Sequence, residues 1–541
     1  MRRGTIGLAI AAVSASVFIA HGAQEGAEMV LINGEVYTVD EQNPWVEAVA
    51  VRGGKIIALG TTGEIRGYIG PQTTVVDAEG RLVLPGFIDS HCHFASGGLS
   101  LKELDLSLFR TIEALQTRLA EVVEEVPEGT PIWGRGSFPN TSLFPGLGWP
   151  TKEILDEAAP DNPVVINRGG GHAVWINSRA LEISGITRET EPPYGGEIVK
   201  DPETGDPTGI LKEAAQNLLK VGRPYSSREY IATALEHAAE LGVTGVSTGA
   251  SWEEVEIFRE LAASGELTLR VNAWLGIGGL DRYIDEGIKQ GQGDDMVRIG
   301  MLKAFLDGTI GVRSALMFEA FTEEPGNTGL AQYGEEEFYD LVEKAHSHGY
   351  QVGVHAIGDK AVHWVLNAVE RAQQRHGRKG LRHRVEHNTV NILEDTKRFG
   401  ELGVVASMQP NITGNQAYRE TRLGPERALR VDMWRTLLDN GAMLCWGTDW
   451  PVSTLNPMHN LYQLVRRYPE QRLTMEEAVK YYTFGSAYAC FDEDVKGTLE
   501  VGKLADMVVL SRNLFEATPM QVLTTRVVYT ILGGKVVFER R

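Results

Sequence analysis

From Glu28 onward the chain begins with short runs in which apolar and polar residues alternate: MVLINGEVYTVD, AVAVRGGKIIALG and TTVVDAEGRLVLPG. Alternation with period two predicts strands, and Asn33-Gly34 and Gly53-Gly54 supply turns between them. A matching piece stands at the far end, GKLADMVVLS and RVVYTILGGKVVFE, with a turn at Gly533-Gly534. Two β-rich ends around a long middle predict one small β-sandwich domain built from both termini, 28–84 plus 495–541.

The middle follows another rhythm. Strand-like runs lie at 243–248, 267–275, 297–305, 351–356, 382–387, 403–409 and 442–448. Helical periodicity alternates with them. Phe338, Leu341, Val342 and Ala345 share one face of 335–348, and Val362, Val365, Leu366 and Val369 share one face of 359–372. Repeated β then α predicts an α/β fold on a parallel sheet, open or closed into a barrel. RLVLPGFI at 81–88 is an eighth strand, the number a (β/α)8 TIM-type barrel needs, and the barrel is expected over 85–494. From about 95 to 225 the spacing breaks. Extra strands (PIWGRG, PVVINR), Pro-rich turns and a Gly/Pro hairpin around 194–210 predict an insertion after barrel strand 1.

Composition narrows the classes. The chain has 541 residues, 52 Lys and Arg against 72 Asp and Glu, and a formal charge of −20. A globally acidic surface argues against nucleic acid and anionic membranes as partners. Three Cys cannot build a disulfide framework. At the N-terminus, Arg2 and Arg3 precede a weakly polar run, Ile6 to Ala20, followed by the small residues Ala20, Gly22 and Ala23. This pattern predicts a signal peptide over 1–23 and an exported protein, periplasmic or secreted, with no stable membrane insertion once the signal is removed. An uncleaved anchor is the alternative. The sequence leaves homo-oligomerisation open.

The sharpest local signal is PGFIDSHCHF, 85–94. On a strand, residues i and i+2 point to one side, so His91 and His93 face one place, and neutral imidazole is the commonest metal ligand. His346 and His348 have the same spacing but end a predicted helix, where they diverge. His355 closes QVGVHA, His387 closes RHRVEH, and Asp449 follows AMLCWGT. Five candidate ligands at the C-terminal ends of four strands are how a barrel assembles a site. His383 shares a strand face with His387 but lies deeper. Asp89, two residues before His91, is a candidate carboxylate to hold its ring.

These residues resemble the amidohydrolase superfamily, and within it the amidohydrolase-3 branch that includes N-substituted formamide deformylases. PGFIDSHCHF, GHAVWINSRAL (171–181), MLKAFLDGTIGVRSAL (301–316), VGVHAIGDKAV (352–362), HRVEHN (383–388), GTDWPV (447–452) and GKLADMVVL (502–510) match its motifs in order. The resemblance implies one or two divalent metals, usually zinc. It places His91, His93 and Asp449 on one metal and His355 and His387 on the second. Lys303 matches a position that in many members carries CO2 as a bridging carbamate; an ordinary Lys paired with Asp307 is the alternative. His172 would lie over the site and polarise or bind a substrate oxygen, unless it is a solvent-loop residue. Arg313 would bind an anionic substrate group or pair with Asp307. Trp175, Phe94 and Trp450 are candidates for an apolar wall, and Cys92 and Cys445 fall near the rim.

The implied activity is metal-dependent hydrolysis of a non-peptide C–N bond in a small molecule, an N-substituted amide or formamide. A metal-activated hydroxide would attack, and Asp449 would serve as base and then acid. Cyclic-amide or ester hydrolysis, or deamination, fits the same metals. A metal-holding binding protein without turnover is the rival from another class.

Overall fold

Each apolar run that ends in a polar residue and leads into an amphipathic segment folds as one strand–helix unit of a parallel barrel. The computed structural model describes residues 26–136, 138, 148–168, 172–466 and 468–541. The signal expected over 1–23 lies outside the described residues. The barrel strands are β1 (Phe87–Cys92), β2 (Val243–Gly249), β3 (Arg270–Gly276), β4 (Val297–Phe305), β5 (Val352–Ala356), β6 (Arg384–His387), β7 (Val405–Met408) and β8 (Met443–Trp446). They stand in sequence order and every ladder is parallel.

The seam between β8 and β1 is closed just past the strand ends. Asp449 N–H donates to the His91 carbonyl at 2.7 Å, and His93 N–H donates to the Trp450 carbonyl at 2.8 Å. Thr448 gives its N–H and its hydroxyl to the Asp89 carboxylate at 3.1 and 2.5 Å. Outside the strands, helix Glu335–Ser347 buries Phe338, Val342 and Ala345, and helix Asp359–His376 buries Val362, Val365, Leu366 and Val369. Ser226 with Glu229, Ser251 with Glu254 and Thr474 with Glu477 form capping boxes that satisfy the first free N–H groups of three more helices.

RLVLPGFI is not one strand. Leu82–Pro85 belongs to the small domain, and the barrel strand starts at Phe87. Gly86 makes the break: its N–H donates to the Asp506 carbonyl at 3.0 Å, and a Cβ there would lie 2.1 Å from Thr244 Oγ1. The small domain is a sandwich of two sheets. One runs Lys55–Gly60, Ala48–Arg52, Met29–Ile32, Thr74–Asp77; the other runs Lys535–Glu539, Val527–Leu532, Met507–Leu510, Leu82–Pro85, Glu35–Tyr37, Trp45–Val46. Period two explains the all-apolar run Met507–Leu510. Met507 and Val509 face Leu31, Val51 and the other sandwich residues, while Val508 and Leu510 face the barrel core. A buried fork, Arg270 Nε and Nη2 on Asp506 Oδ2 and Oδ1 at 2.6 and 2.8 Å, ties β3 to the sandwich.

The insertion after β1 builds its own six-stranded sheet, from Leu104–Asp105 to the hairpin Gly196–Lys200 and Pro207–Glu213. Val164, Ile166 and Trp175 fill a core on one face, and Val165, Val174 and Ile176 fill a core on the other. Trp175 therefore belongs to the insertion's own interior.

Candidate metal centre

Register decides which side chains reach the barrel mouth. His355 pairs with Glu386, and Ala356 with His387, across β5 and β6; Lys303 and Phe305 on β4 pair with Gly353 and His355 on β5. His91 lies next to the end of β1, His93 is the residue before helix Phe94–Lys102, and Asp449 stands three residues past β8. His387, Asn388 and Asp449 take left-handed backbone angles, φ 71°, 43° and 57°. For non-glycine residues this costs on the order of 1–3 kcal/mol each, held by the surrounding structure, and it turns the side chain away from the strand direction.

The result is a cluster. Ligand atoms of His91, His93 and Asp449 lie within 4.8 Å of one another, with Asp449 Oδ1 at 3.7 Å from His91 Nε2 and 3.3 Å from His93 Nε2. The His91 and His387 rings are 4.9 Å apart and those of His387 and His355 4.4 Å, so the four imidazoles form one continuous group. Lys303 Nζ is 3.4 Å from His91 Nε2 and lies between the rings of Trp274 and Phe305, at 5.1 and 5.0 Å.

A buried charge chain orients His91. Arg384 Nε and Nη2 bind Glu386 at 2.6 and 3.0 Å, and Nη2 also donates to the Ser90 carbonyl and to Ser407 Oγ. Glu386 Oε2 meets His91 Nδ1 at 2.5 Å. With Nδ1–H committed to the carboxylate, Nε2 keeps its lone pair toward Asp449. Asp89, the sequence candidate for this task, instead accepts the His91 backbone N–H at 3.0 Å and holds Thr448.

Electrostatics keep the donors available. Burial, then the Lys303 charge, lowers His91 and His355 to about 4, so both rings are neutral at pH 7. Burial lowers Lys303 to about 8 against the pull of Glu386 and Asp449. Burial would raise the Asp449 carboxyl, but the hydrogen bond with His93 and the nearby Lys303 charge hold it below the usual range. Burial likewise works against Glu386, and Arg384, then His91, holds it ionised. His387 is buried beside the Gln409 amide, and neither its Nδ1 nor the amide atoms make a hydrogen bond of good geometry. Neutral imidazoles, one carboxylate and an orphaned buried nitrogen are the donor set of a divalent cation, and these residues fit one.

Other sequence candidates lie differently. His172 is exposed and pairs with Glu213, Nδ1 to Oε1 at 3.1 Å. Arg313 is engaged by Glu324 and, at 3.8 Å, by Glu323; Asp307 spends its oxygens on the backbone N–H groups of Leu316, Ile357 and Gly358. Phe94 and Trp450 pack on each other at 5.8 Å in the barrel core. The aromatic residue over His91 and His93 is Trp274, at 5.3 and 5.4 Å. Cys92 and Cys445 are buried free thiols.

His346 of the second H-x-H forms a structural pair with His383, while His348 stands apart on the surface. Val352 N–H donates to His383 Nδ1 at 3.0 Å, so His383 carries its proton on Nε2, which meets His346 Nδ1 at 2.8 Å; His346 Nε2–H then donates to the Gly377 carbonyl at 2.9 Å. Every ring nitrogen is used by the neutral forms. Burial, then His346, lowers His383 to about 3. Its contribution to stability is therefore full above the unfolded value of about 6.5 and is lost as pH falls toward 3. Nitrogen-15 spectra of histidine-labelled protein at pH 5 are expected to show His346 and His383 as neutral Nε2–H rings. A charged ring at either position would contradict the relay.

Comparison with known proteins agrees with this geometry. The model of the Amidohydrolase family matches residues 74–538. The chain is 33% identical to Protein LONG AFTER FAR-RED 3 of Arabidopsis thaliana, over 94% of this chain and 91% of that protein. It is 28% identical to the N-substituted formamide deformylase of Arthrobacter pascens, over 95% of this chain and 98% of that one. Among solved structures it matches an uncharacterized metal-dependent hydrolase from Pyrococcus furiosus with a TM-score of 0.73 and 29% identity, covering 90% of this chain and all of the other. A barrel with His, His and Asp donors at its mouth, matched by the family model over nearly the whole chain, is a member of the amidohydrolase family of metal-dependent hydrolases.

Proposed function

We propose that the protein hydrolyses a carbon–nitrogen bond other than a peptide bond, in an N-substituted amide or formamide, using one or two divalent cations, with zinc the best fit to an imidazole-rich set. The observation that carries this reading is the convergence of four imidazoles, Asp449 and Lys303 at one rim of the barrel. His91, His93 and Asp449 would hold one ion, and His355 and His387 a second. When bound, such an ion brings a water's pKa toward neutrality and polarises a carbonyl.

The chain's own groups do the rest. Glu386 keeps His91 Nδ1 protonated and its Nε2 free. Asp449 accepts a proton from the attacking water and passes it to the departing nitrogen, base first and acid second. Lys303 cannot ligate a cation as an ammonium. As a carbamate, formed when its amine adds CO2 and loses a proton, it would present two oxygens beside His91. Trp274 and Phe305 give the site apolar walls that limit water. The amide reading is supported by the similarity to a formamide deformylase; cyclic amides, esters and exocyclic amines stay outside the proposal.

Elemental analysis of freshly purified protein is expected to find one to two equivalents of zinc-like metal, native mass spectrometry to find CO2 on Lys303, and a screen of N-formyl and N-acyl amines to find turnover that a chelator abolishes. Fully folded, active protein without metal would sink the proposal. A bare amine at full metal loading would remove the carbamate alone.

A further inference from the structure

A cavity of about 680 Å3 opens beyond the end of β7. Pro410, two residues past β7, forms one wall. Asn411 Nδ2 donates to Ser453 Oγ at 2.8 Å, which joins that wall to the loop following Asp449. The rest of the lining is polar: Gln416, Arg419, Gln463, Arg466 and Tyr468. In a chain of net charge −20, no Asp or Glu stands among the described lining residues.

The two arginines differ in role. Arg419 is 1% exposed, and it binds the Thr413 and Gly414 carbonyls at 3.0 and 2.9 Å and Asp432 at 3.3 Å. Its Nη1 is buried without a partner. Arg466 is exposed and leans on Tyr462, Nη1 to the hydroxyl at 2.9 Å, and no described carboxylate lies within ion-pair distance of it. The cavity therefore combines a cation without a described ion-pair partner and a buried unsatisfied guanidinium N–H, while the amides of Gln416 and Gln463 each give one N–H, to Glu420 and Asn411 respectively. A cationic ligand would meet no carboxylate among the described lining residues, and an apolar one would leave the guanidinium N–H unpaired.

We propose that this cavity is a subsite for an organic anion and takes the carboxylate of a substrate whose amide lies at the metal centre. The substrate part of this statement rests on the proposed amide hydrolysis; the anion site does not. Arg466 supplies the charge, and the guanidinium fork and amides supply directed hydrogen bonds to carboxylate oxygens. Because Arg466 is exposed, the attraction weakens with salt.

The test titrates metal-supplied protein with N-acetylphenylalanine and with N-acetylphenylalaninamide, which differ in the carboxylate. Binding is followed by calorimetry, and amine release is measured separately. The charged probe is expected to bind about tenfold tighter or more, with the preference shrinking from low to high salt. Arg466→Glu is expected to abolish the preference at an unchanged melting temperature. Equal affinity for both probes, binding of neither, or a preference that survives Arg466→Glu overturns the subsite. Tighter binding of inorganic phosphate than of the carboxylate probe assigns the cavity to phosphate and overturns the carboxylate assignment. Selective binding without amine release from any N-acyl compound sinks the proposed reaction and leaves the anion site standing.

Discussion

Replacing Asp449 by Asn is expected to lower kcat by about 100- to 10,000-fold while metal stays bound. The carboxylate is the only group of the cluster placed to take a proton and return it. The four imidazoles are turned toward the other donors, and Lys303 is cationic unless carboxylated. Asn has the same shape and keeps one oxygen for a cation. It therefore separates proton transfer from coordination, and the left-handed backbone at this position, φ 57°, suits Asn as well as Asp. Metal content by elemental analysis and turnover of an active N-acyl compound give the two readouts. A kcat near wild type would remove Asp449 from proton transfer, and loss of metal together with activity would show that its role is coordination first.

The second large effect concerns stability. Arg384 and Glu386 are 1% and 0% exposed, shielded from bulk solvent. Arg384→Leu leaves Glu386 buried without its ion-pair partner, with only His91 and the Lys303 charge nearby, and such a stranded charge costs about 3–5 kcal/mol. Urea unfolding should show that loss. Adding Glu386→Gln to Arg384→Leu is expected to restore much of the stability, because the charge goes with its partner. The double variant should still bind metal about 10- to 100-fold more weakly than wild type, since the His91 ring has lost its carboxylate. Equal stability of the single and double variants would mean that the pair is not the source of the penalty.

Much of the arrangement is legible in the amino-acid order because it follows from periodicity. His91 and His355 each stand at the end of an apolar run that reads as a buried parallel strand, His387 ends the strand-like run RHRVEH, and such ends meet on one rim. What escapes is lateral. Glu386 in HRVEH precedes a candidate ligand, but in so polar a run a Glu does not stand out. Only the register of β6 against its neighbours sets it rather than Asp89 against the His91 ring. Trp274 reads as one more apolar strand residue until the closed barrel turns it over the histidines. RLVLPGFI reads as one strand because its hydrophobicity never breaks; the division at Gly86 is enforced by Thr244, a residue far along the chain. His172 and Arg313 sit in loops, where spacing carries no directional information, and their carboxylate partners come from elsewhere in the fold.

Gly86 also has a consequence for the order in which the molecule can be made. Only that residue separates the strand carrying His91 from Leu82–Pro85, whose sheet neighbour Met507–Leu510 lies near the opposite terminus. The support behind residue 91 therefore waits for residues 507–510 to be synthesised. Until then β1 lacks its sandwich anchor, so nascent chains halted before residue 507 should be more protease-sensitive around His91 than chains that include Met507–Leu510.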